Sequence, residues 1–331
     1  MQHHMATMIA RTQTCPVDTL DFVKVTESAA LAASRWMGRG ERDIADGAAV
    51  ERMRESLNAM EISGRIVIGE GERDEAPMLF IGEELGSGGF EVDIAVDPVE
   101  GTNLVANGLP NSIAVMAISE RGGLLNAPDT YMKKLAVGAK AAPYVHIDAP
   151  VRENLEAVAN ALEKPINEVT VVILDRPRHA ELVKDVREAG ARIKLISDGD
   201  VDACIATAVQ GTGIHVAMGT GGAPEGVLAA AALKCMGGQF MGKLEFRNDE
   251  EVERAKAMGF GDINRILTIN DLVKGKHVVF CATGITDGDL TRGVRFFGNN
   301  ARTHSIVMHS DGTVRFIESV HRLGARPVSL G

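Results

Sequence analysis

The residues best equipped for chemistry in this 331-residue chain are carboxylates that fall at breaks in its apolar patterning. Asp46 stands where a helix is expected to begin. Glu70 and Glu72 follow a short apolar run in Ile68-Gly69-Glu70-Gly71-Glu72, and Asp97-Pro98-Val99-Glu100-Gly101-Thr102 follows an alternating one. Singly, each has a plainer reading as a helix cap, a solvated turn or a turn opener. As a set they read differently. Asp97 ends a strand, Pro98 fixes the turn, and Glu100 curls back so that both carboxylates face one point, with the Thr102 hydroxyl beside them. Gly101 permits a positive φ or a close backbone approach. With Asp46, Glu70 and Glu225 the set supplies five oxygen ligands and no soft ones, which suits Mg²⁺ or Mn²⁺ rather than structural zinc, and two ions could share it.

Phosphate-ester hydrolysis is the chemistry that most needs such a set. It calls for rate enhancements up to ~10²¹, against ~10² to 10⁴ from one acid or base. Paired cations activate a water and stabilise both the attacking and the leaving oxygen. A second group suits an anion that is not cleaved. Arg176 and Arg178 flank Pro177 at a helix start, where guanidinium forks bind phosphate bidentately and where unpaired cations oppose the helix dipole; the plainer reading is a solvated pair. Asp198 and Asp200, around Gly199, either accept from sugar hydroxyls or cap a helix. Tyr131, Lys133 and Lys134 add a hydroxyl and positive charge. His179 and His215 are as well explained as structural histidines.

The elements that must position these groups follow from periodicity. Residues 18–37 read as a helix with Asp18 as cap and Gly38 as stop, and a second helix runs from Asp46 to about Met60. Short strands follow at 66–68, 91–97 and 111–119. Strands at 170–174, 192–197 and 213–218 then alternate with helices at 178–189, 199–209 and 224–236, which predicts a layered α/β half with substantial parallel pairing. The turns at 175–178, 197–200 and 219–225 each join a strand's carboxyl end to the next helix, the edge where open α/β sheets bind ligands. The expected division is an N-terminal metal-binding α+β domain, 18–167, and a C-terminal α/β domain for substrate phosphate, 168–331.

Composition removes other classes. A net charge of −10 argues against a nucleic-acid surface. No apolar run approaches a membrane span and no signal-peptide order opens the chain, so a cytoplasmic protein is expected. Cys15, Cys204, Cys235 and Cys281 are scattered and read as reduced thiols. There is no G-x-S-x-G, H-E-x-x-H or Walker A sequence, and the glycine-rich run from Gly219 breaks a dinucleotide fingerprint at Pro224.

In order along the chain stand Thr26-Glu27-Ser28-Ala29-Ala30, Ala45-Asp46-Gly47-Ala48-Ala49-Val50, Gly69-Glu70-Gly71-Glu72, the 97–102 motif, Ala127-Pro128-Asp129, Arg176-Pro177-Arg178-His179, Asp198-Gly199-Asp200, Gly221-Gly222-Ala223-Pro224-Glu225 and Ala282-Thr283-Gly284-Ile285-Thr286. With these motifs the chain resembles, from Val25 to His321, the class II, GlpX-type fructose-1,6-bisphosphatases of the lithium-sensitive sugar and inositol phosphatase superfamily. The resemblance implies a layered α/β/α/β/α sugar-phosphatase sandwich, assembled as a dimer or tetramer. It also implies hydrolysis of the 1-phosphate of fructose 1,6-bisphosphate, in gluconeogenesis or the Calvin cycle.

The same resemblance implies Mg²⁺ or Mn²⁺ held by Asp46, Glu70, Asp97, Glu100 and Glu225, with Glu70, Asp97 and Thr102 at the catalytic centre and Thr102 orienting the attacking water. Substrate contacts fall on Glu100, Gly101, Thr102, Tyr131, Arg176, Pro177, Arg178, Asp198, Gly199, Asp200 and Gly222. Two departures from the wider superfamily, Glu100 where Asp is usual and no W-D-x-A-A motif, point to the class II branch; the only tryptophan is Trp36. The wording around Trp36-Met37-Gly38, Met132-Lys133-Lys134 and Gly293-Val294-Arg295-Phe296-Phe297 is similar to the dual-function fructose/sedoheptulose bisphosphatases of photosynthetic bacteria, although the loop from Gly86 to Val92 is shorter than in many of them. Sedoheptulose 1,7-bisphosphate is thus a second substrate candidate.

Three rival readings have their own discriminators. A nucleotide-binding oxidoreductase would bind NAD(P) after chelation. A non-catalytic metabolite-binding protein would hold sugar phosphate without releasing phosphate. An inositol or nucleotide monophosphatase would leave Arg176 and Arg178 little to do.

Overall fold

The computed structural model describes residues 19–70 and 78–324. In chain order its helices are α1 (Thr19–Ala33), α2 (Arg42–Asn58), α3 (Thr102–Asn107), α4 (Val151–Ala161), α5 (Ala180–Ala189), α6 (Asp200–Ala206), α7 (Ala223–Cys235), α8 (Asp249–Ala257) and α9 (Ile269–Leu272). The strands are β1 (Ile62–Ile68), β2 (Glu84–Leu85), β3 (Phe90–Glu100), β4 (Ile113–Glu120), β5 (Tyr131–Val137), β6 (Thr170–Leu174) and β7 (Arg192–Ile196). They continue as β8 (Val216–Gly222), β9 (Gln239–Glu245), β10 (Leu267–Thr268), β11 (Val278–Gly284), β12 (Arg295–Phe297), β13 (Asn300–His309) and β14 (Val314–Arg322).

Two mixed sheets form the frame. The first has the order β12-β13-β11-β4-β3-β1-β2, with β14 on β13; the second has the order β10-β9-β5-β8-β6-β7. Parallel pairing joins β7, β6 and β8, as the alternating strands and helices predict, and also β1 and β3. It goes no further in the second sheet, because β5 enters antiparallel between β8 and β9. Sheet membership therefore does not follow the expected division at 167/168: β5 lies in the second sheet, and β11 to β14 return to the first. β11, Val-Val-Phe-Cys-Ala-Thr-Gly, is almost wholly buried and fills the gap between β4 and β13.

The layering follows from which faces are apolar. α1 and α2 bury Phe22, Val23, Ala29, Ala45, Met53 and Leu57 against the outer face of the first sheet. α7 is apolar all round, and a helix of that kind must be enclosed on every side; it lies between the sheets, its Leu228 and Leu233 in one core with Phe280 of β11 and Phe240 of β9. α4 and α5 cover the far face of the second sheet through Leu155, Val158 and Val186. The result is the expected α/β/α/β/α sandwich.

Three local expectations are corrected. α2 begins at Arg42, so Asp46 occupies its second turn and is not a cap; Ala45 and Ala49 are the buried positions that continue the helix past it. β3 does not stop at Asp97. It bulges there, Asp97 facing Val115 and Glu100 facing Ile113, and a bulge tolerates the missing N–H of Pro98 without ending the strand. β8 runs on to Gly222, so Gly219–Gly222 lie within a strand paired to β5 and only Ala223 onward is helical. The cap expected at Asp18, together with Glu72 and Cys15, lies outside the described residues.

Candidate active site

A cavity of about 390 Å³ opens where the carboxyl ends of β1 and β3 meet α2 and the first turns of α3 and α7. Asp46, Glu70, Asp97, Glu100 and Glu225 all line it, together with Gly101, Thr102 and Asp198. Each is brought there by a local device. The bulge in β3 turns Asp97 and Glu100 toward one space, and Asp97 Oδ1 accepts from the Val99 amide at 3.1 Å. Gly101, with φ of 82°, makes the left-handed step that starts α3 and leaves Thr102 as its first residue. Glu70 follows Gly69, where any side chain would strike the Leu79 carbonyl. Glu225 stands in the first turn of α7 behind Pro224, favourable ground for an acid and for a proline that needs no partner for its nitrogen.

The electrostatics of this cavity are those of gathered carboxylates, with Arg42 on the wall as the cation beside Asp46. Burial, then the charges of Asp46 and Glu225, push Glu70 up to about 8. Burial and the neighbouring acids hold Asp97 and Glu100 well above the usual carboxylate range. Asp46 and Glu225 are also raised, burial again the main cause. Two oxygens, Glu100 Oε2 and Glu225 Oε2, are fully buried with no hydrogen-bond partner. Buried acceptors of that kind are costly unless a cation or donor meets them.

A divalent cation fits this donor set, which is all oxygen and mutually repulsive. Among the described residues no three acidic, histidine or cysteine groups already close on a single point. The five carboxylates stand as a wall around the cavity, and side-chain rotation is what would draw them onto an ion.

A second cluster adjoins the first. Lys134 of β5 is buried and donates to Asp200 Oδ2 at 2.6 Å. Glu100 links the two clusters, its Oε1 accepting from the Val201 amide at 3.2 Å. Arg178 sends Nε and Nη2 to the Thr220 carbonyl, at 3.1 and 2.6 Å, and lies over the Tyr131 ring at 4.8 Å. His179 is structural: Nδ1 meets the Leu174 carbonyl at 2.7 Å and Nε2 accepts from the Thr220 amide at 2.8 Å. His215 Nδ1 likewise accepts from the Thr170 amide at 3.0 Å.

Residues 18–321 match the sequence profile of the family described as bacterial fructose-1,6-bisphosphatase, glpX-encoded. The chain belongs to this family. Among its relatives are proteins named D-fructose 1,6-bisphosphatase class 2/sedoheptulose 1,7-bisphosphatase. That of Synechococcus sp. (strain JA-3-3Ab) is 50% identical over 340 residues, covering 94% of this chain and 97% of the relative. That of Trichodesmium erythraeum (strain IMS101) is 49% identical over 331 residues, covering 92% and 96%. That of Crocosphaera subtropica (strain ATCC 51142 / BH68) is 48% identical over 328 residues, covering 91% and 95%.

The fold of this bisphosphatase-family chain does not bring every expected contact residue to one wall. Glu100, Gly101, Thr102 and Asp198 line the main cavity. A side chain at Gly199 would stand 3.1 Å from Glu100 Oε2, and one at Gly222 would collide with the Glu225 carboxylate, so both glycines hold space for acids. Asp200 faces a smaller cavity with Lys134, His179 and Thr220. Arg176 is half-buried, its Nη1 on the Asp175 carbonyl, and Arg176, Pro177, Arg178 and Tyr131 lie off the cavity wall. The sequence reading missed Arg42 and Asp43, which join the wall because α2 starts early, and Arg247, whose guanidinium lies 5.3 Å from the Tyr131 ring. A helix start read at Arg42 would have found the first two.

Proposed function

We propose that this chain hydrolyses the 1-phosphate of fructose 1,6-bisphosphate, and that it accepts sedoheptulose 1,7-bisphosphate as a second substrate, in a reaction dependent on Mg²⁺ or Mn²⁺. The observation that carries the proposal is the convergence of Asp46, Glu70, Asp97, Glu100 and Glu225 with the Thr102 hydroxyl on one cavity. It does so in a chain half identical to relatives named for both activities.

When bound, a divalent cation supplies local positive charge and lowers the pKa of an attacking water. The protein's own groups do the rest. Asp46, Glu70, Asp97, Glu100 and Glu225 are the ligands, and the unpartnered Glu100 Oε2 and Glu225 Oε2 support that role. Thr102 orients the water. Asp198 and Asp200 accept from sugar hydroxyls, beside Gly101, Gly199 and Gly222, whose lack of side chains leaves room. The uncleaved phosphate rests on Arg176 and Arg178 at the turn fixed by Pro177, with the Tyr131 hydroxyl. Arg178 already has Nε and Nη2 on Thr220, so Nη1 is the nitrogen it can offer.

The metal donors come mainly from 18–167 and the phosphate contacts from 168–331, the functional division we assign to the chain. No described helix is long and apolar enough to cross a membrane. We assign the protein to the cytoplasm as a homodimer or homotetramer. The test of substrate is phosphate release from the two bisphosphates at saturating Mn²⁺. Turnover of both supports the dual reading, turnover of one names the substrate, and turnover of inositol or nucleotide monophosphates in preference to either would overturn the proposal.

A further inference from the structure

Asp43 and Asp198 line the main cavity beside the five ligand candidates, yet a further carboxylate, Asp200, stands close enough to push up the pKa values of Glu100 and Glu225 without lining it. What keeps Asp200 apart is visible. Lys134, with its side chain only 4% exposed, donates to Asp200 Oδ2 at 2.6 Å. The backbone makes room for the pair. Lys134 faces Gly219 of β8 on one side and Gly242 of β9 on the other, and a side chain at Gly221 would collide with Asp200 Oδ2 and stand 3.1 Å from Lys134 Nζ. One residue on, Gly222 leaves the space taken by the Glu225 carboxylate. Successive glycines of β8 thus leave room for two carboxylates, and Lys134 is ion-paired with one of them.

We infer that Lys134 is a positioning residue that sorts the acids of the site, holding Asp200 out of the metal set and reserving it, with its charge neutralised, for the sugar. The inference rests on the bisphosphatase reading above. The physical reason is a matter of charge. A further free carboxylate would strengthen the attraction for a cation while repelling a doubly phosphorylated sugar. An ammonium fixed on Asp200 removes that repulsion and aims its second oxygen. Lysine does this as a compact point charge, which a planar guanidinium would not match in a buried slot.

The signature is a split that general damage to the site would not produce. Lys134→Met is expected to raise KM for fructose 1,6-bisphosphate at least ~10-fold, while Mn²⁺ affinity, read by calorimetric titration without substrate, stays equal or becomes tighter. Loss of Mn²⁺ affinity in parallel with KM, or no change in either, overturns the inference. Should Lys134→Met not fold, Lys134→Met/Asp200→Asn removes both charges of the buried pair, a change that folds tolerate well. Its KM is expected within ~2-fold of Asp200→Asn alone, and a clearly additive loss would overturn the inference. Wild-type protein that released no phosphate would end the bisphosphatase reading. The Mn²⁺ titrations would still decide the role of Lys134, weaker binding in the Lys134 variant counting against it.

Discussion

The amide of Val201 donates to Glu100 Oε1 at 3.2 Å, so the end of β3 in the first sheet is tied to the start of α6 in the layer beneath. The other oxygen of Glu100 is buried and unpartnered. One carboxylate therefore couples the main cavity to the helix that carries Asp200, and it does so with one oxygen free of any hydrogen-bond partner among the described residues.

Glu100→Gln keeps an acceptor for Val201 and removes the charge. Mn²⁺ affinity should fall ~10- to 100-fold or more, since even the supporting partners of ligands cost that much when lost. Thermal stability without metal should hold or rise, because an amide has no ionised form for burial and the neighbouring acids to penalise. Calorimetric titration and a melting curve on the same sample check both. A large fall in melting temperature with unchanged affinity would assign Glu100 to the fold alone.

The pH dependence of stability has a definite sign. Without metal Glu70 keeps its proton to about pH 8, against an ordinary value of 4.5 in the unfolded chain. Between those values the folded state binds more protons than the unfolded one. The Glu70 contribution is thus complete below pH 4.5 and lost as pH rises through about 8. Asp46, Asp97, Glu100 and Glu225 are displaced in the same direction. The metal-free melting temperature should accordingly fall from about pH 6 to about pH 8, whereas excess Mn²⁺, which binds deprotonated ligands, should stabilise increasingly over that window. A metal-free protein that grew more stable toward pH 8 would contradict this picture of the cavity.

Thr102 opens α3 on the cavity wall. Removing its hydroxyl in Thr102→Val should lower kcat by ~10²-fold or more, with Mn²⁺ affinity little changed, and Thr102→Ser should restore most of the loss. Steady-state kinetics at saturating metal read the effect. Equal activity of the valine variant would remove Thr102 from the chemistry.

The two arginines should separate. Among the described residues the Arg176 side chain bonds only to the carbonyl of its own neighbour, Asp175, so Arg176→Ala should raise KM for the bisphosphate ~10-fold and leave the melting temperature alone, in line with the ~1.5 kcal/mol of a charge-assisted hydrogen bond. Arg178→Ala should raise KM and also destabilise, because the Thr220 carbonyl loses two side-chain donors and Tyr131 the nearer of its two cations. Identical behaviour of the two variants would contradict their different placement.

Much of this was legible in the sequence, and the limits have physical reasons. β6 falls at 170–174 as read, since a short apolar run bounded by turns leaves little choice. The 97–102 motif brings Asp97 and Glu100 to the cavity although Pro98 ends no strand: the bulge that absorbs the missing N–H depends on pairing with β4, which no local pattern encodes. The early start of α2 was hidden because Arg42 and Asp43 look like solvated turn residues until Ala45 and Ala49 are seen to be buried. The return of β11 to the first sheet is a contact more than a hundred residues distant, and local periodicity is silent about it. The sequence offers Arg178 as a phosphate-ligand candidate but is silent on its bond to Thr220, since that bond forms only once β6 and β8 lie side by side.

The central claim is that these carboxylates serve cation-dependent release of the 1-phosphate, and phosphorus NMR of fructose 1,6-bisphosphate turnover tests it most directly. With Mn²⁺ or Mg²⁺ the account predicts loss of the 1-phosphate signal and growth of inorganic phosphate and fructose 6-phosphate, stopped by a chelator and resumed on adding metal. Turnover that persists after chelation, loss of the 6-phosphate instead, or no release by folded protein with metal present would contradict it.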